Sequence, residues 1–123
     1  MSHDIISDAL NQIMNAKKAG KSELEIRRYS KVLLKVLDVA KKYKYLDYNL
    51  DQKKLKIKIM NLEKCKAIKP RFNVMVEELE KYIRRFLPAR NYGILMISTS
   101  SGLMTQEEAY GKNVGGSLIA YFY

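Results

Sequence analysis

Residues 54–59 alternate strictly between lysine and an apolar residue, and this alternation constrains the fold more than any other segment. Successive side chains of a β-strand point to opposite faces, so the three apolar residues share one face and the three lysines share the other. Residues 45–50 form a second arm, and Asn49–Gln52 between the arms has the residue types of a turn. The sequence therefore predicts a β-hairpin with one buried face.

Three segments repeat apolar residues at the spacing of an amphipathic helix. The first covers residues 4–19 and ends at Gly20, and the second follows Ser30, whose hydroxyl suits an N-cap. The third runs from residue 76 to 86, before Pro88. The residues expected in the core are Leu33, Leu37, Leu55, Ile57, Leu79, Ile83, Leu95 and Ile97.

The remaining elements are a strand at residues 23–27 and a set of elements after residue 66. That set comprises a strand at 92–97, a short helix opened by a capping box at Thr105 and stopped by Gly111, and a strand at 117–123. We expect an α+β fold with two small lobes. Residues 1–65 would form an N-terminal α-β-α-β-β lobe and residues 66–123 a C-terminal mixed lobe.

The chain is strongly basic, with 23 Lys and Arg against 13 Asp and Glu, which gives a net charge of +10. This balance favours a polyanionic partner, most simply a nucleic acid, over a membrane surface. The charge is uneven: residues 1–90 carry 22 basic and 11 acidic side chains (+11), and residues 91–123 carry one basic and two acidic (−1). No segment approaches the ~18 apolar residues of a membrane span. Nothing near Met1 resembles a signal peptide, and the single Cys65 indicates a reducing compartment such as the cytoplasm.

The sequence offers little for catalysis or for a cofactor. His3 is the only histidine and Cys65 the only cysteine, so a nucleophilic triad or a zinc site would lack partners. No phosphate-binding or dinucleotide glycine motif is present. We therefore expect no enzyme activity, no metal and no cofactor.

Phosphate contacts are indicated at Ser30 and Lys31. A lysine in the first turn of a helix opposes the helix dipole, and together with free backbone N–H groups it suits a bound phosphate. The alternative is a surface lysine placed by chance. Asn15, beside two lysines at the end of the first helix, is a weaker case. The hairpin lysines could equally be a solvated face.

Residues 97–102 read Ile-Ser-Thr-Ser-Ser-Gly, a hydroxyl-rich turn after an apolar run and before a predicted helix. The hydroxyls of Ser98, Thr99, Ser100 and Ser101 could simply satisfy local backbone groups. They could instead meet base edges and ribose hydroxyls, with Gly102 allowing close approach.

Two further features leave alternatives open. Phe72 could stack on a base or ribose, or it could pack into the core. The pair Gly115 and Gly116 indicates a tight turn or a place where two backbones pass closely.

The order of several short motifs resembles the family of small ribosomal subunit protein eight. The C-terminal motifs are Ile97–Gly102, Met104-Thr105, Glu108-Ala109 and Gly115-Gly116, and those of the N-terminal half are Ser7–Leu10, Ile13, Asn15-Ala16 and Ser30-Lys31. Lys69–Phe72 and Leu87–Arg90 are similar to the archaeal and eukaryotic branch. Ser117 departs from the glutamate that bacterial members carry there.

The resemblance implies a ribosomal protein that is a monomer before assembly and then lies in the cytoplasmic ribosome beside other small-subunit proteins. It would bind the central domain of small-subunit ribosomal RNA, recognising it through the C-terminal lobe at residues 66–123, and assist assembly. Ser98, Thr99, Ser100 and Gly102 would lie in the principal contact, beside the Gly115-Gly116 turn. Lys31, Lys69 and Arg71 would meet phosphates.

Two rival functions remain at this point. One is an RNA chaperone indifferent to sequence, and the other is a small phosphate-handling hydrolase that uses the hydroxyl turn. The hydrolase lacks a credible base.

Overall fold

A computed structural model describes residues 5–69, 71–89 and 92–123. The chain divides into two compact units, the first ending at Cys65 and the second comprising Lys66–Tyr123. The α+β class is confirmed, since both units combine helices with antiparallel strands. No helix in the described ranges combines the length and the apolar character needed to cross a bilayer.

The first unit contains α1 (Ile5–Lys18), β1 (Glu23–Ile26), α2 (Lys31–Lys42), β2 (Leu46–Asp51) and β3 (Lys54–Ile59). Its three strands form an antiparallel sheet in the order β1-β3-β2. The predicted stop of α1 is confirmed. Gly20 adopts a φ of +78°, and the N–H groups of Gly20 and Lys21 close the helix onto Lys17 and Ala16.

The hairpin was predicted with its turn too early. Asn49 and Leu50 lie within β2, and the chain reverses at Gln52 and Lys53, which have φ values of +46° and +65°. The turn residue types at positions 49–52 misled the prediction. The apolar alternation of β3, rather than turn chemistry, sets the strand register.

The second unit contains β4 (Cys65–Ala67), β5 (Asn73–Val74), a 3₁₀ turn (Val76–Glu78), α3 (Leu79–Phe86), β6 (Ile94–Thr99), β7 (Gly102–Thr105), α4 (Gln106–Lys112) and β8 (Gly116–Phe122). Its sheet has the order β4-β8-β6-β7, and β5 also pairs with β8. Sequence patterns missed β4, β5 and β7, which are two to four residues long. The segment after Ile97 therefore continues as a hairpin instead of leading directly into a helix.

Helix α4 differs from the prediction at both ends. Thr105 precedes it as expected, but its side chain makes no capping hydrogen bond, and its hydroxyl lies 3.4 Å from the Glu108 carboxylate. The helix passes through Gly111 and ends at the left-handed Asn113, with a φ of +55°. Asparagine tolerates that conformation, so glycine was not needed as a stop.

All eight predicted core residues are buried, with exposures between 0% and 3%. Each unit has its own set. Leu33, Leu37, Leu55 and Ile57 belong to the first unit, and the other four join one apolar cluster of the second. Gln106 is also buried, and both ends of its side-chain amide are hydrogen-bonded. Its oxygen accepts from the Leu95 N–H, and its nitrogen donates to the Gly93 carbonyl.

The cavity left by Leu37→Ala should lower the free energy of unfolding by ~2–5 kcal/mol, because Leu37 is fully buried in α2. Val32→Ala in the same helix is the control. Val32 is 48% exposed, so we expect a change within about 0.5 kcal/mol. Chemical denaturation measures both variants, and equal effects would contradict the helix register.

Candidate nucleic-acid interface

The hydroxyl-rich segment forms the tip of the β6–β7 hairpin. Thr99 pairs with Gly102, which leaves Ser100 and Ser101 as the two-residue turn. The Thr99 hydroxyl donates to the Gly102 carbonyl at 2.8 Å and accepts from the Ser101 N–H at 3.1 Å. Thr99 therefore organises the turn from within. For this residue the structure favours local satisfaction of the backbone.

The other three hydroxyls point to a different use. Ser98, Ser100 and Ser101 are exposed, and their hydroxyls make no hydrogen bond within the described part of the chain. Each can donate one hydrogen bond and accept others. Gly102 is exposed too, and a Cβ built there would meet nothing within 4 Å. The tip thus presents unused hydrogen-bonding groups in open space.

The glycine pair holds this hairpin against its neighbours by close backbone approach. A Cβ on Gly116 would lie 2.2 Å from the Ser98 carbonyl oxygen, and one on Gly115 would lie 2.4 Å from the Val74 carbonyl oxygen. Neither glycine has a positive φ, so the requirement is for space and not for an unusual conformation. Of the two interpretations of the pair, close passage of backbones matches the structure.

Strand pairing produces a polar row that the sequence did not reveal. Asn73, Ser117 and Ser98 are register partners on β5, β8 and β6, and Leu103 follows on β7. Directly paired residues point to the same face of a sheet. Asn73 and Ser98 are exposed and Ser117 is half-buried, so the row extends the polar surface beside the hairpin tip. Asn73 belongs to this polar row because the two-residue strand β5, which the sequence patterns missed, pairs with β8.

The segment before β5 brings the other predicted residues of this unit to the same sheet. Its ends are tied to β8, because Ile68 donates to the Ile119 carbonyl and the Phe72 carbonyl accepts from Leu118. Lys69 and Arg71 are exposed. The Phe72 ring is half-buried, with its centroid 5.0 Å from that of Tyr82. One side of the Phe72 ring therefore packs against the core of the second unit. Pro70 lies outside the described residues.

The predicted phosphate contacts of the first unit lie at separate places within it. Ser30 caps α2, and its hydroxyl accepts from the Leu33 N–H at 3.2 Å. Lys31 is exposed in a first turn that contains no acidic residue. Asn15 is exposed near the end of α1, next to Lys17 and Lys18. Ser30 thus serves the helix, while Lys31 extends into solvent.

The hairpin lysines do not form a positive surface. On the outer face of the sheet, Lys58 lies between Glu23 and Asp47, and Lys56 is paired with Glu25 on one side. The Lys56 ammonium also lies 3.6 Å from the Asp51 carboxylate. Lys41 donates to Asp47 and lowers the pKa of that carboxyl, which therefore stays charged. Four carboxylates offset the three lysines of β3, so this face matches the solvated-face interpretation.

The one thiol of the chain and the acidic side chains were the remaining candidates for a nucleophile or a metal site. Cys65 is buried, and desolvation raises its pKa to about 12, so the thiol stays protonated at neutral pH. In residues 5–69, 71–89 and 92–123, no cluster of three His, Cys, Asp or Glu side chains could hold a metal ion. His3 lies outside these ranges.

Comparisons with known proteins give one consistent result. Residues 4–123 match the family model described as Ribosomal protein S8. Small ribosomal subunit protein uS8 of Neurospora crassa is 42% identical over 125 aligned residues, which cover 97% of this chain and 96% of that protein. The uS8 protein of Kluyveromyces marxianus and uS8A of Saccharomyces cerevisiae are each 41% identical over the same shares.

The close approach of Gly116 to the Ser98 carbonyl leads to a prediction about the stability of the protein. Gly116→Ala should destabilise the protein by about 1–3 kcal/mol, because the β8 backbone must move away from Ser98. Gly111→Ala is the control. Gly111 lies in α4 with nothing within 4 Å of a built Cβ, so alanine should stabilise the helix by roughly 0.5–1 kcal/mol. Thermal unfolding separates the two, and a harmless Gly116→Ala would contradict the packing described here.

Proposed function

The chain belongs to the ribosomal protein S8 family, and from that premise we propose that it is a structural, non-enzymatic protein of the small ribosomal subunit that binds ribosomal RNA. The likeness to the archaeal and eukaryotic branch is confirmed, because the named relatives are fungal proteins. In this proposal the protein is a monomer that joins the central domain of the RNA during assembly. It then lies beside other small-subunit proteins in the cytoplasmic ribosome.

The observation that carries the proposal is the hairpin tip with its unused hydroxyls. Side chains cannot enter the deep major groove of an RNA helix, so proteins read RNA through its shallow groove, its ribose hydroxyls and unstacked bases. Small hydroxyl groups on a turn with an exposed glycine can approach such surfaces closely. Ser98 and Ser100 provide donors and acceptors there without charge.

The basic residues have a separate role in this proposal. Lys31 in the first unit, with Lys69 and Arg71 in the second, would contact phosphates, which look alike in every RNA. Asn15 and the two lysines beside it would add to the contact made by the first unit. The cations thus supply affinity and the hairpin supplies discrimination.

The two rivals have less support. A hydrolase would need a base within hydrogen-bond reach of its serine, and the Ser98, Ser100 and Ser101 hydroxyls have no such partner among the described residues. A chaperone indifferent to sequence would need only charge. A chaperone function of this kind gives no role to the exposed hairpin tip, which close backbone packing at Gly116 supports.

Ser100→Ala tests discrimination. We expect a loss of roughly 1–3 kcal/mol in binding to a fragment of the small-subunit RNA central domain, because a buried polar partner on the RNA is left unpaired. Binding to a scrambled RNA should barely change, and so should the dependence on salt. Ser22→Ala, at an exposed serine of the first unit, is the control. Equal losses for both RNAs would reduce the hairpin tip to a structural turn.

Lys31→Ala tests the phosphate contact. Removing one phosphate contact should weaken binding to cognate and to scrambled RNA by similar factors. It should also lower the slope of log affinity against log salt concentration by about 1. Lys58→Ala removes the same charge from a position between Glu23 and Asp47, and it should change the slope far less. Titrations at several salt concentrations measure both variants. Matching slopes for the two would count against a contact at Lys31.

A further inference from the structure

The outer face of α3 carries three cations that the proposed function does not use. Lys81, Arg84 and Arg85 are all exposed. Among the described residues, Arg28, Lys41 and Lys56 form ion pairs within 4.0 Å, and none of the three α3 cations does. No ion pair within the described ranges therefore holds these cations. We call Lys81, Arg84 and Arg85 the α3 basic face.

Aromatic rings hold two of these cations in place. The Lys81 ammonium lies 5.5 Å from the Tyr82 ring centroid, and the Arg85 guanidinium lies 5.3 Å from that of Phe86. The two rings are stacked, with centroids 6.5 Å apart and planes at 17°. Such contacts favour the cation over the ring face and lower the entropy lost when it meets a partner.

The rings themselves are anchored in the second unit. Tyr82 packs against Phe72, and Phe86 packs against Tyr121 at 5.5 Å, while Leu79 and Ile83 bury the inner side of the helix. The outward direction of the basic face is thus fixed by the core.

Three carboxylates, Glu77, Glu78 and Glu80, lie at the start of the same described segment, and none of them forms an ion pair with a cation of the α3 basic face within 4.0 Å. Glu78 accepts from the Met75 N–H at 3.0 Å and so serves the start of the 3₁₀ turn. The helix dipole accounts for Arg84 and Arg85 in the last turn, but Lys81 stands in the first turn, where a cation is unfavourable. Glu80 in the same turn offsets part of that cost, and an external anion would offset more of it.

We propose that the α3 basic face binds the phosphates of one RNA strand, as a contact separate from the hairpin tip. Lys81 and Arg85 are one helical turn apart, about 6 Å along the axis, which suits successive phosphates of a strand. The cations cover the ring faces, so bases cannot stack there and the contact is blind to sequence. This inference rests on the proposed function, because it assigns a second RNA contact to the same protein.

The test is a triple variant, Lys81→Gln with Arg84→Gln and Arg85→Gln, in the full chain. Its binding to the central-domain fragment and to the scrambled RNA is titrated across salt concentrations. We expect the salt slope to fall by about 2–3 for both RNAs, and affinity near physiological salt to fall about tenfold or more. The preference for the cognate fragment should stay the same.

The matched control removes three charges from the outer face of the β2–β3 hairpin: Lys54→Gln with Lys56→Gln and Lys58→Gln. Its net charge equals that of the α3 variant, so a general charge effect would affect both alike. If the two triple variants have equal salt slopes, the proposal is overturned. The α3 basic face would then be expected to bind an acidic protein segment instead. If the unaltered protein shows no preference for the cognate fragment, the proposed function itself fails, and that result is read before either variant is made.

Discussion

The second unit depends on one close approach between backbones. Strand β8 passes the Ser98 carbonyl so closely that a single methyl group at Gly116 would overlap it, and Gly115 is under the same constraint from Val74. Because β8 also pairs with β4, β5 and β6, any shift of β8 would disturb most of the sheet. The β6–β7 hairpin is therefore held against β8 near its Ser98 end. A hairpin supported in this way loses less conformational freedom when it binds a partner.

Periodicity predicted the fold wherever an element was long enough to show it. Both long helices, the alternating strand β3 and all eight core residues follow from apolar spacing alone. Strands β4, β5 and β7 were missed because two to four residues show no period, and their pairing is fixed by distant parts of the chain. The stop of α4 was misplaced because a left-handed asparagine served where a glycine was expected.

The candidate site was harder to predict than the fold, because its members are defined by neighbours in space. The hydroxyl turn could be recognised by composition, yet only strand register separates Thr99, which bonds within the turn, from Ser98 and Ser100, which do not. The sequence left open whether the lysines of β3 contact a partner or form a solvated face, and cross-strand carboxylates offset them. The cations of α3 were not identified as a binding surface from the sequence, because the contacts with aromatic rings that hold two of them are seen only in the structure.

The position of β8 also has a consequence for the order in which the protein forms during synthesis. Every strand that pairs with β8 precedes it in the chain, by about twenty to fifty residues at most, so the second sheet cannot close until β8 has been made. The first unit has all its strands by Ile59 and is under no such delay. A nascent chain would then display a folded, basic first unit well before the hairpin tip acquires its support. Under the division of roles proposed above, early encounters with RNA would be loose and easily reversed, and selective ones would wait for the complete second unit.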